Sequence, residues 1–163
     1  MTEKILDHAG IAALRREADQ RGQTIVFTNG IFDILHIGHV SYLHQARQLG
    51  DLLVVGVNSD ASARSLKGAD RPFNSELDRA GVLAALEDVS AVAIFDEPTA
   101  SSLVQEVRPD IYVKGGDYSE DPASPAYPPE GESVGANGGT VRIIPFAAGH
   151  STTGLVERIR RSR

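Results

Sequence analysis

Short apolar runs alternate with stretches of helical spacing along this 163-residue chain, and this alternation restricts the fold more than any other feature. Apolar strands are predicted at 25–27, 52–57, 89–95, 111–113 and 140–145. Helices are predicted near 11–22, 40–49, 75–86 and 99–107, with a short one ending at 66 and a last one from about 151. Strands that alternate with helices form a parallel sheet covered on both faces. We therefore predict an α/β fold with five parallel strands in a single domain over 1–163.

The composition excludes several classes of function. A formal net charge of −6 provides no basic surface for nucleic acid. No apolar run reaches the length of a membrane span, and the N-terminus lacks a signal-peptide pattern. The chain has no cysteine, which excludes disulfides and thiolate chemistry. We expect a cytoplasmic protein without nucleic-acid or membrane partners, and the composition leaves a homo-oligomer open.

Chemically suggestive residues follow the ends of predicted strands. They fall in four segments, 29–39, 58–74, 114–118 and 147–153. Ligands of parallel α/β sheets bind beyond the carboxyl ends of the strands, so these segments predict one composite site. The chain contains neither a Gly-x-x-x-x-Gly-Lys-Ser/Thr phosphate loop nor a Gly-x-Gly-x-x-Gly fingerprint.

One long segment, 119–139, interrupts the alternation. It combines Pro122, Pro125, Pro128 and Pro129 with several glycines and acidic residues. This composition predicts a long loop, either a lid over the site or a disordered insert.

Two histidines stand at the turn between the first strand and the second helix. His36 and His39 are three residues apart, which places both imidazoles on the same side of a first helical turn. Gly38 between them allows a ligand close to the backbone, and a helix N-terminus already favours anions. The pair therefore predicts a phosphate site. Two alternatives are a zinc site, for which His44 is the one candidate third ligand, and a pair of solvated histidines.

The polar residues of the four segments suit nucleotidyl transfer. This reaction requires charge neutralisation and in-line positioning, and it needs no general base because the attacking phosphate is already an anion. A Mg²⁺ counter-ion is expected on the triphosphate. The candidate donors beside the two histidines are Lys67, Arg71, Lys114, Ser151, Thr152 and Thr153.

Three other charged residues have structural alternatives. Asp33 either orients its turn by accepting backbone N–H bonds or holds Mg²⁺ through water, and we favour the first role slightly. Asp117 either binds a sugar hydroxyl or caps a turn. Arg79, within a predicted helix, fits an ordinary surface charge.

At this point the motifs resemble a known group of enzymes. Residues 29–33, Asn-Gly-Ile-Phe-Asp, and 36–39, His-Ile-Gly-His, are similar to the His-x-Gly-His nucleotidyltransferase superfamily. Further motifs are similar to the heptose 1-phosphate adenylyltransferase branch of this superfamily; they lie at 57–60, 66–68, 71–72, 113–118 and 150–153. The resemblance runs in the same order from about Thr24 to the last helix. The chain departs from that branch at Ile31, where the branch often has Cys, and in 119–139.

The resemblance implies a Rossmann-like nucleotidyltransferase fold and transfer of AMP from ATP to D-glycero-β-D-manno-heptose 1-phosphate. His36, His39 and Lys67 would be catalytic. The sugar phosphate would contact Asp33, Lys67, Arg71 and Asp117. The nucleotide would contact Asn29, Gly30, Ile31, Phe32, His36, His39, Lys114, Gly115, Ser151, Thr152 and Thr153. The alternatives are a cytidylyl- or adenylyltransferase with another phosphate acceptor, or a non-catalytic nucleotide-binding module.

Overall fold

The computed structural model describes residues 2–145 and 152–161. After a single 3-10 turn at Thr2–Lys4, the strands are β1 (Ile25–Gly30), β2 (Leu52–Asn58), β3 (Ala91–Phe95), β4 (Ile111–Gly115) and β5 (Thr140–Ile144). The helices are α1 (His8–Arg21), α2 (Ile37–Arg47), α3 (Asp60–Lys67), α4 (Glu76–Ala84), α5 (Ser101–Val107), α6 (Gly131–Ala136) and α7 (Thr152–Arg161).

The five strands form one parallel sheet in the order β3-β2-β1-β4-β5. This confirms the predicted α/β fold. β1 lies at the centre, and the chain builds outward from it first through β2 and β3, then through β4 and β5. The order reverses between β1 and β4, and ligands of open α/β sheets bind at such a reversal.

Side chains alternate along each strand between two hydrophobic cores, one on each face of the sheet. Ile25 and Phe27 of β1 pack in one core with residues of α1, α5 and α6. Val26, between them, packs in the other core with residues of α2 and α4. The two-residue period of a strand produces this division, and it confirms the predicted placement of helices on both faces.

Serine side chains fix the starts of the two helices that follow β2. The Ser59 hydroxyl accepts a hydrogen bond from the backbone N–H of Ser62 at 3.2 Å and so caps α3. Ser75 caps α4 in the same way, through the N–H of Asp78. Such caps satisfy helix-start donors that have no partner within the helix.

The structure corrects one prediction for segment 119–139 and shows which side of α4 is buried. Segment 119–139 contains α6, and its Val134 is fully buried in the core beside Tyr127, so the interpretation as a disordered insert is wrong. The four prolines suggested a loop throughout, but the last of them, Pro129, precedes α6 and does not interrupt it. In α4, the apolar residues Leu77 and Val82 are 67% and 53% exposed, whereas Ala80 and Leu83 fill the core.

None of the helices within 2–145 and 152–161 is long and apolar enough to cross a membrane.

Candidate active site

A cleft opens beyond the carboxyl ends of β1, β2 and β4, where the four segments were predicted to meet. It consists of two adjoining lobes with volumes of about 620 and 490 Å³, which we call the first and second lobe. The residues that line both lobes are Asn29, Gly30, Ile31, Phe32, His39, Lys67, Lys114, Tyr118 and Thr152. The structure therefore brings together residues from all four predicted segments, the fourth represented by Thr152 at the start of α7.

The turn after β1 has an unusual backbone. Phe32 has a φ of 51°, in the left-handed region that non-glycine residues rarely adopt. Its side chain is buried and meets the ring of His39 edge-on, with the ring centroids 5.8 Å apart. Strained backbone of this kind persists only where its surroundings fix it, and it concentrates at functional sites.

Asp33 ties this turn to the loop after α3. One carboxylate oxygen accepts the backbone N–H groups of Phe73 and Asn74 at 2.8 and 3.0 Å. The other pairs with the Arg71 guanidinium at 2.9 Å. The orienting role favoured from the sequence is thus present, and it holds Arg71 at the wall of the first lobe. Contact of Asp33 with substrate stays a prediction.

His36 and His39 lie side by side at the start of α2, as their spacing predicted. Their ring centroids are 4.0 Å apart, with His36 at the N-cap position. Burial, and to a smaller extent the neighbouring His36, lowers the pKa of His39 to about 4. Nδ1 of His39 is buried and has no hydrogen-bond partner among the described residues. At neutral pH this ring is therefore uncharged, and its Nδ1 is available for a hydrogen bond with a ligand.

Lysines from two directions face the histidines. Lys67 ends α3 and lines both lobes with its side chain largely in solvent. Lys114, in β4, lies under Tyr118, with its Nζ 5.5 Å from the ring centroid. Burial lowers the pKa of the Lys114 ammonium, and the carboxylate of Glu130 partly opposes that shift.

The predicted residues after β4 and β5 are placed unevenly. Gly115 lines the second lobe. Thr152 lines both lobes from the start of α7. Ser151 and the Thr153 side chain lie outside the part of the chain that the structure describes. Asp117 is exposed and lines neither lobe, and its contact with substrate stays a prediction.

Arg79 contradicts the prediction of a surface charge, because its side chain is only 1% exposed. It donates hydrogen bonds to the backbone carbonyls of Ile31 and Asn74, and to the carboxylate of Asp60 at 2.8 Å. Arg79 therefore holds the start of the turn after β1 at Ile31, and Asp33 holds the same turn through its contacts with the loop after α3. Its acceptors come from three separate segments, so local spacing along the chain gave no signal of them.

Sequence reasoning also missed Tyr42 and Glu130. Tyr42 lines the second lobe, and its hydroxyl donates to the carbonyl of Val113 at 3.0 Å. Glu130 lines the first lobe from within segment 119–139. The period of α2 could have identified Tyr42, which follows His39 by three residues, whereas no pattern marked Glu130.

The zinc alternative gains no third ligand in this geometry. His44 lies away from the cleft and pairs with Asp88 at 3.1 Å. Within 2–145 and 152–161, no group of three or more His, Cys, Asp or Glu side chains could hold a metal ion. The carboxylate of Asp33 is engaged by the backbone N–H groups of Phe73 and Asn74 and by Arg71.

The parallel sheet, with a histidine pair and several cations around one cleft at its edge, defines a nucleotidyltransferase of Rossmann-like fold. The chain belongs to the cytidylyltransferase-like family, whose model matches residues 27–153.

Individual relatives agree with this assignment. The chain is 51% identical over 159 residues to the bifunctional protein HldE of a Nitratiruptor species, an alignment that covers 97% of this chain and 32% of that protein. It is 49% identical over 157 residues to the bifunctional protein HldE of Geotalea uraniireducens, covering 96% and 31%. The chain thus spans about a third of the length of these curated relatives.

A solved structure supports the same family. The lipopolysaccharide core biosynthesis protein from Thermoplasma volcanium is 33% identical to this chain, with a TM-score of 0.62. The match covers 77% of this chain and 98% of that one, so nearly the whole of that protein shares this fold.

Proposed function

We propose that this chain transfers AMP from ATP to D-glycero-β-D-manno-heptose 1-phosphate, giving ADP-heptose and pyrophosphate. The observation that carries the proposal is the histidine pair at the start of α2, which faces Lys67 and Lys114 across one cleft. The heptose assignment rests on the motifs that resemble heptose 1-phosphate adenylyltransferases. The similarity to a lipopolysaccharide core biosynthesis protein agrees with a sugar nucleotide as product.

The reaction forms one bond and breaks another at the α-phosphorus of ATP. An oxygen of the sugar phosphate attacks, the bond to the β-phosphate oxygen breaks, and pyrophosphate leaves with that electron pair. Because the attacking oxygen is already anionic, this chain has to supply only donors and positive charge. An N–H of His36, or of the neutral His39 ring, can donate to the phosphoryl oxygens while charge develops on them.

The cations would divide between the two phosphate groups. Arg71, held by Asp33, and Lys67 lie on the side of the cleft reached from β2, where the sugar phosphate would bind. Lys114 and the start of α7 lie on the side reached from β4 and β5, where the triphosphate would bind. Such an arrangement would bring the two anions together against their mutual repulsion.

Release of pyrophosphate measures this function directly. The protein would be supplied with Mg²⁺ and either ATP or CTP, together with heptose 1-phosphate, mannose 1-phosphate or glycerol 3-phosphate. We expect ATP with heptose 1-phosphate to give the highest kcat/KM. A higher value for CTP with glycerol 3-phosphate would overturn the heptose assignment, and no turnover with any pair would favour a nucleotide-binding module. A cytoplasmic location and a homo-oligomer remain predictions beside this function.

A matched pair of variants on α2 connects the assay to the cleft. His39→Ala removes an imidazole that lines both lobes, whereas His44→Ala removes one that pairs with Asp88 outside the cleft. Loss of activity in the first variant alone is expected if the cleft is the active site. Equal activities would contradict that placement.

A further inference from the structure

A buried carboxylate in the first lobe is not used by the proposed chemistry. Glu130 is 3% exposed and lines this lobe beside Pro129 and Thr99. Its Oε1 accepts the backbone N–H of Ala100 at 3.1 Å, at the start of α5. Its Oε2 is buried and has no hydrogen-bond partner among the described residues. Buried polar atoms without a partner are uncommon and costly in proteins, so this oxygen calls for an explanation.

The neighbouring cation does not neutralise Glu130 directly. Lys114 lines the same lobe, yet the two side chains form no ion pair within 4.0 Å. The hydroxyl of Tyr112 donates to the side-chain oxygen of Asn29 at 2.7 Å, and it lies near enough to Glu130 for that carboxylate to add to the burial that raises the Tyr112 pKa. The lobe therefore presents a free acceptor on Glu130 and a donor on Lys114, both within its walls.

A hydroxyl group satisfies both sides of this arrangement. It donates one hydrogen bond to a carboxylate and accepts another from an ammonium. A phosphate oxygen cannot donate to Glu130, and a second ammonium cannot accept from Lys114. The residues that only the first lobe adds are mainly polar, among them Asn58 and Thr99, whereas the second lobe adds His36 and Tyr42 together with two glycines, Gly38 and Gly115. The first lobe is therefore better suited to a polyhydroxyl ring than to a flat base.

We propose that Glu130 is a specificity-determining residue whose free carboxylate oxygen binds a ring hydroxyl of a substrate sugar. This inference rests on the proposed function, in which both substrates carry such hydroxyls: the pyranose of the acceptor and the ribose of ATP. Because a buried carboxylate without its donor is left unsatisfied, an analogue that lacks the hydroxyl is rejected strongly.

The test compares binding of natural and deoxy ligands by calorimetry, which needs no turnover. The ligands are heptose 1-phosphate with its monodeoxy analogues, and ATP with 2′-deoxy-ATP, 3′-deoxy-ATP and ITP. The variants are Glu130→Gln, which keeps an oxygen to accept from Ala100, and the control Glu132→Gln, exposed two residues further on and outside the cleft. Thermal unfolding of each variant measures any structural effect separately.

We expect wild type and Glu132→Gln to bind at least one deoxy analogue about tenfold or more weaker than its parent, the scale of a hydrogen bond to a charged group. In Glu130→Gln that ratio should fall to about threefold or less. The analogue that responds identifies the sugar, since a heptose analogue indicates the acceptor and a deoxy-ATP indicates the ribose.

Three outcomes would overturn the inference. In the first, the wild-type protein binds every deoxy analogue as tightly as its parent. In the second, Glu130→Gln keeps the wild-type affinity ratios. In the third, the substitution changes only the ratio of ATP to ITP affinity, which would place an adenine edge on Glu130. Failure of the proposed function is seen separately, as absence of pyrophosphate release from wild type while these binding ratios are still measured.

Discussion

Replacement of Arg79 tests how the turn after β1 is held. In Arg79→Ala, the carbonyls of Ile31 and Asn74 lose a charged donor, and Asp60 loses its ion pair. The carboxylate of Asp60 is 28% exposed and can be rehydrated, so we assign it little cost. The two carbonyls lose about 1 kcal/mol each, and the lost packing of the buried side-chain stem adds about 1 kcal/mol.

The expected loss is therefore about 3 kcal/mol in the free energy of unfolding, which lowers Tm by roughly 6–12 °C in a domain of this size. Arg79→Lys keeps the charge, but one ammonium cannot reach three acceptors on separate segments, so it should recover about half of the loss. Urea unfolding and thermal melts measure both variants.

The control is Arg64→Ala, which removes an exposed arginine from α3. It should change the free energy of unfolding by less than about 0.5 kcal/mol. A loss below about 1 kcal/mol in Arg79→Ala, or an equal loss in both alanine variants, would refute the role assigned to Arg79.

Three further predictions concern the cleft. His36→Ala and His39→Ala should each lower kcat about a hundredfold or more, the usual effect of losing one transition-state donor, and near wild-type single-turnover rates in both would contradict their role. Because the folded-state pKa of His39 is lowered to about 4, the unfolded chain binds more protons between about pH 6.5 and 4, so stability should fall as pH falls through that window. Urea unfolding at several pH values should show a smaller decline in His39→Ala than in wild type. Removal of Mg²⁺ should abolish pyrophosphate release while a zinc-selective chelator leaves it unchanged, and the reverse pattern would restore the zinc alternative.

The sequence was sufficient for features that depend on neighbouring residues. The apolar runs around Val26 and Val54 predicted strands because burial on both faces of a parallel sheet requires them. The three-residue spacing of His36 and His39 predicted their shared side of α2, because a helix repeats every 3.6 residues.

Features that depend on distant residues were not accessible in the same way. Arg79 meets acceptors 48, 19 and 5 residues away, and Glu130 meets Ala100 across 30 residues. Leu77 and Leu83 are both apolar residues of α4, but the helix buries Leu83 and leaves Leu77 exposed. The local pattern gives the period of a helix, whereas long-range packing decides which side is buried.

The strand order also has a consequence for synthesis of the chain on the ribosome. β1 is synthesised first and can pair with β2 as soon as β2 is made. Its other edge, at Val26 and Phe27, stays unpaired until Ile111 and Tyr112 of β4 have been synthesised. Until then a nascent chain carries an open strand edge whose side chains are fully buried in the finished protein. Open apolar edges recruit strands from other molecules. Aggregation during rapid expression should therefore begin at the central strand, and slower translation of residues 59–110 would lengthen the vulnerable interval.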